Sequence, residues 1–110
     1  MRFVERMAYR VEVTARAARD LGRIYRDINA EHARQAADWF NGLESLVLSL
    51  EDHPSRGAVI PEDAKLLQLL YGAKPYVYCV IYAIDEPAQL VRVLHIRHGA
   101  RQNFAPAAPQ

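Results

Sequence analysis

The last third of the chain, YVYCVIYAIDEPAQLVRVLHIRHGAR from Tyr76 to Arg101, leaves few folds open. Val, Ile and Tyr crowd two runs, Tyr76–Ile84 and Gln89–Ile96, and the turn Asp85-Glu86-Pro87-Ala88 separates them. β-branched and aromatic side chains suit a pleated, half-buried surface, and acid plus proline breaks such a run. The segment therefore predicts a β-hairpin with a short loop. Its second strand runs into His95, Arg97, His98 and Arg101, a cationic cluster within seven positions. Clustered Arg and His at one edge of a small domain point to an anion-facing site for phosphate or an acidic partner.

Upstream, Ala8 to Thr14 alternates, with Tyr9, Val11 and Val13 on one side, which predicts a short strand. Thr14 can cap a helix through Asn29 whose apolar positions are Ala18, Leu21, Ile24, Tyr25 and Ile28. Asn29 is a candidate cap for a second helix over Glu31–Glu51. That helix repeats the spacing at Ala36, Trp39, Phe40, Leu43, Leu46, Val47 and Leu50. Pro54 ends it by removing a donor and clashing with further helix. A loop to about Asp63, a strand over Lys65–Tyr71 and a turn at Gly72–Pro75 then lead into the hairpin. The order is β-α-α-β-β-β, an α+β fold with a helical hairpin on one face of a small antiparallel sheet. Neither helical stripe can stay wet, so the sheet must cover both.

A length of 110 residues bounds this to a single domain over residues 8–104. Residues 1–7 read as an N-terminal extension, with Met7 an alternative start to Met1, and the Pro/Ala-rich residues 105–110 as a flexible tail. The single cysteine, Cys79, rules out an internal disulfide and fits a reducing, cytoplasmic setting. No apolar run approaches a membrane span, and no signal-peptide pattern opens the chain. The net charge of +1 argues against indiscriminate nucleic-acid binding. It is unevenly spread: residues 1–64 carry nine Arg against eleven acids, residues 65–110 five Lys and Arg against two. That bias favours a local anionic contact.

The remaining chemistry-bearing residues read more simply. Cys79 inside Tyr-Cys-Val-Ile-Tyr is a small packed hydrophobe rather than a reactive thiol. Tyr76, Tyr78 and Tyr82 form a core-facing stripe rather than a base-stacking platform. His32, His53, His95 and His98 lack metal-ligand spacing, so neither a metal nor a cofactor is expected. Gly72 and Gly99 serve turns.

Leu69-Leu70-Tyr71-Gly72, Tyr78-Cys79-Val80-Ile81-Tyr82 and His95-Ile96-Arg97-His98-Gly99-Ala100-Arg101, taken in order, resemble the RelE/ParE superfamily of type II toxins. Leu50 to Gly57 followed by Pro61-Glu62 is similar to that family's linker, and the likeness spans about Tyr9 to Phe104. The resemblance implies a cytoplasmic bacterial toxin of the plasmid-stabilisation type, silenced by a cognate antitoxin in a hetero-oligomer. Its target would be DNA gyrase in the ParE-like branch, or the ribosome and its mRNA in the RelE-like endoribonuclease branch. It also implies that His95, Arg97, His98 and Arg101 contact the target. A nuclease would enlist Lys65, Arg97, His98 and Arg101. The RNA-cleaving branch usually carries Tyr-Arg where this chain has Tyr78-Cys79, and a late tyrosine where it has Phe104. Cysteine offers no permanent charge or bidentate fork to phosphate. These departures favour the non-enzymatic, ParE-like reading, with the ribosome-dependent nuclease as the alternative.

Overall fold

Thr14 makes the first corner of the chain, and the computed structural model describes residues 8–73 and 76–99. The hydroxyl of Thr14 accepts from the Ala17 N–H, capping helix α1 (Ala15–Asp27) directly after strand β1 (Arg10–Val13). It also donates to the Leu94 carbonyl, so a single side chain ties the helix start to a strand 80 residues away. Helix α1 ends as Asn29 turns into the left-handed region at φ 61. Asn29 thus stops the first helix instead of capping the second. Helix α2 (Arg34–Leu48) begins later than the apolar spacing alone suggests, with Ala33 at its N-cap and no side-chain cap. A 3-10 turn (Ser49–Glu51) extends it to the predicted end, and a second (Pro54–Arg56) starts at the proline.

Four more strands follow: β2 (Ala58–Ile60), β3 (Asp63–Tyr71), β4 (Tyr78–Asp85) and β5 (Leu90–His98). They form one five-stranded sheet in the order β1-β5-β4-β3-β2. The α+β class and the β3-β4-β5 meander match the sequence reading, with two differences. The sheet is mixed, because β1 runs parallel to β5, pairing Arg10 with Leu90 through Val13 with Val93. Ala58–Ile60, expected as loop, pairs with β3. Three residues between Gly57 and Pro61 are too few to display a period, so only the pairing partner reveals the strand.

One sheet face carries the core. Val91 and Val93 of β5 stand beside Ile84 and Tyr82 of β4, and Ile96 beside Val80. Against them pack Ala17 and Ile24 of α1 and Phe40, Leu43, Val47 and Leu50 from α2 and its 3-10 extension. Leu43 and Leu50 are fully buried, whereas Trp39 is half-buried and sets its ring edge against Tyr71 and Tyr78. The buried face of α1 overlaps the expected stripe at Ile24, with Leu21 and Ile28 packed against the core, but is shifted toward the N-terminal side. It presents Ala17, Asp20 and Ile24, and leaves Ala18 and Tyr25 exposed. Tyr78 and Tyr82 are core residues as expected, but Tyr76 precedes β4 and is 56% exposed. Gly42 lets β3 approach α2: a Cβ there would collide with the Tyr71 ring, whose hydroxyl donates to the Trp39 carbonyl at 2.7 Å.

Candidate functional site

Leu94 decides the geometry of the cationic strand end. Ile81 faces His95 while Tyr82 faces Val93, so Leu94 is an extra residue, a β-bulge, in β5. The bulge lets Val91, Val93 and Ile96 all reach the core although their spacing breaks the period of two. It also lies where β1 stops pairing. Past Val93 no strand among the described residues lies beside the outer edge of β5, and α1 passes there instead.

Asp20 of α1 closes that edge. It is 4% exposed, the single charged side chain so buried among the described residues. Its Oδ2 accepts from the Ile96 N–H at 3.0 Å and from His95 Nδ1 at 2.8 Å, and its Oδ1 accepts from Arg23 at 2.9 Å. Burial alone would raise the Asp20 carboxyl. The Ile96 N–H, His95 and Arg23 outweigh it and hold the group below its ordinary value. The ionised Asp20 can only accept, so Nδ1 of His95 donates to it, and Nε2 lies 3.4 Å from Arg16.

Arg97 and His98 go elsewhere. Arg97 stands opposite Cys79 on the sheet face away from the helices, and its guanidinium lies against the thiol. Burial pushes the Cys79 thiol up, only partly offset by Arg97, and the thiol donates to Gln68 Oε1 at 3.0 Å. Cys79 is fully buried, as a packed hydrophobe should be. His98 pairs opposite Tyr78 and sets its ring edge-on to the tyrosine, with centroids 4.9 Å apart. Its Nδ1 is buried with no hydrogen-bond partner among the described residues. Both residues border a cavity of about 350 Å3 with Arg23, Ile24, Asp27 and Tyr78.

Among the described residues, the sequence-predicted set therefore does not form one cradle, although Arg97 and His98 border the same cavity. His95 turns to α1, Arg97 to Cys79 and His98 to Tyr78. Lys65 is exposed near the start of β3, five residues before Leu70, the partner of Cys79. At the rise of a strand that sets it about 17 Å along the sheet from the level of Arg97. Arg101 lies outside the described residues, as do Lys74 and Phe104. What the sequence reading missed is Asp20. In an arginine-rich helix it resembles a solvated partner of Arg23, and the β5 backbone it serves is 76 residues away.

Among the described residues no three His, Cys, Asp or Glu side chains group so that they could hold a metal ion. No helix there is long and apolar enough to cross a membrane.

No curated protein matches this chain in sequence. Solved structures do match in fold. The toxin-antitoxin complex RelBE2 from Mycobacterium tuberculosis contains a chain 22% identical, at TM-score 0.62, with 83% of this chain and 98% of that one covered. A chain of the chromosomal ParDE system from P. aeruginosa is 18% identical at TM-score 0.65, covering 84% and 98%. A free E. coli RelE with two arginine-to-alanine substitutions is 14% identical at TM-score 0.58, covering 86% and 88%. At such identities the likeness establishes the fold: two helices on a five-stranded sheet. The family comes from the sequence, where residues 11–103 match the profile of the ParE toxin of the type II toxin-antitoxin system parDE. That match takes in the capped first helix, the Asp20 edge and the whole β3-β4-β5 meander, and the chain belongs to the ParE toxin family.

Proposed function

We propose that this toxin is a non-enzymatic, ParE-like inhibitor that acts by protein contact on DNA gyrase in the cytoplasm and is neutralised by a cognate antitoxin. The observation that supports contact over catalysis is the dispersal of the strand-end residues. Cleavage of RNA by its own 2′-OH needs a base, an acid and charge stabilisation gathered around one phosphate. Here His98 packs on Tyr78, Arg97 on Cys79, and Lys65 stands at the other end of the sheet. An antitoxin partner is supported by the fold neighbours, several of which are toxin-antitoxin complexes.

Purified gyrase tests the reading. Added toxin should halt supercoiling of relaxed plasmid, and cognate antitoxin should restore it. Arg97→Ala and Arg101→Ala should each weaken the inhibition by about 1.5–3 kcal/mol where the arginine is buried in the contact. His98→Ala should matter less. Unimpaired supercoiling at saturating toxin, with codon-positioned mRNA cuts on ribosomes that disappear in His98→Ala, would establish the RelE-like nuclease instead.

A further inference from the structure

Arg16, Arg19, Arg23 and Arg26 recur along α1 at intervals of three, four and three, and all four are exposed. Ten residues of helix place the first and last about 15 Å apart on one face. His95 joins them from β5, and together they line a cleft of about 490 Å3 whose floor is Asp20 and Gly22. The one carboxylate in that lining is already taken up by His95, Arg23 and the Ile96 N–H, and it is buried. The face thus shows the solvent a cationic surface although the whole chain carries only +1.

We infer that this arginine face of α1, with His95, is a binding site for the phosphate backbone of duplex DNA. The inference is independent of the protein target proposed above. Several guanidinium forks converging on one cleft suit tetrahedral phosphates, each with oxygens enough to accept from two or three donors at once. A protein segment docks through apolar anchors in pockets, and this lining has no aliphatic or phenyl side chain to receive one. Single strands are held by stacking bases on aromatic rings, and His95, engaged edgewise between Asp20 and Arg16, is the single ring there. What remains is a straight row of charges matched to a rigid row of phosphates, sequence-independent because nothing reaches the bases. A Cβ at Gly22 would meet only the Arg26 guanidinium, 3.6 Å away, so little but that arginine stands over the helix there.

Fluorescence anisotropy of the full chain with a labelled short duplex of mixed sequence, repeated across salt, tests the site. Three to four phosphate contacts predict an affinity that falls roughly 40- to 150-fold between 50 and 200 mM salt. Arg19→Ala with Arg26→Ala, substitutions to a strong helix former on an exposed face, should lower the slope of log affinity against log salt by about 2. Arg19→Lys with Arg26→Lys should retain most of the slope, since charge survives while the fork is lost. Circular dichroism of both variants establishes that α1 persists. An unchanged slope in the alanine variant would overturn the site, because the contacts would then lie elsewhere on the chain. Tighter binding of a single strand of equal length, or binding of an acidic peptide with none of duplex, would overturn the ligand class.

Discussion

Asp20 shows how far a single residue can reach. Its carboxylate fixes a helix, a histidine and the open edge of β5 at once, through three hydrogen bonds to groups 3 to 76 residues distant. Because its folded value lies below the ordinary 3.8, the charged form stabilises the native state. That contribution is present in full above about pH 4 and is lost as pH falls through the folded value. Asp20→Asn should therefore be less stable at neutral pH and lose less on acidification. Urea midpoints taken from pH 6 to pH 2.5 check this, and parallel curves for the two proteins would mean that Asp20 carries no such linkage. Tyr82 plays a comparable part on the far side of the core. Its fully buried hydroxyl donates to the Pro54 carbonyl and accepts from the Gly57 N–H, anchoring the segment that leaves α2. Tyr82→Phe strands both backbone groups and should cost about 1–3 kcal/mol in chemical denaturation, against near neutrality if water reaches them.

At the scale of elements, periodicity was a good guide where a stripe meets a sheet and a poor one where partners are distant. The apolar stripe of α2 identifies Phe40, Leu43, Val47 and Leu50, and all four are buried. Leu43→Ala should cost about 2–5 kcal/mol, and a change within surface scatter would mean that the stripe faces solvent or a partner. For α1 the same logic selects Ala18, Leu21, Ile24, Tyr25 and Ile28, of which Ile24 is buried and Leu21 and Ile28 pack against the core, while Ala18 and Tyr25 are exposed and Ala17 and Asp20 are buried instead. A buried polar residue such as Asp20 escapes a hydrophobic count, so the stripe marks only part of the true face. The parallel pairing of β1 with β5 leaves no local signal at all, and β2 is legible only through its pairing with Leu67 and Gln68. The strand-end cluster was visible as composition. Its dispersal was not, because it depends on the Leu94 bulge and on side chains from α1 and β4.

Taken whole, the molecule is a five-stranded sheet with its helices on one face, and clusters of cationic residues line clefts at the α1 flank and the end of β5. An antitoxin segment that lies in a groove or adds a strand would order as it binds, and co-expression should give a complex that copurifies. Elution of the two proteins separately at micromolar concentration would contradict that partnership. A ParE-type toxin that acts by contact, as we propose, should leave messages uncut. Induction of the full chain in cells without antitoxin, with plasmid supercoiling and mRNA 5′ ends followed in the same culture, tests it most directly. Plasmid topology should change first while messages stay intact. Early mRNA cuts positioned on the reading frame, with supercoiling unaltered, would contradict it.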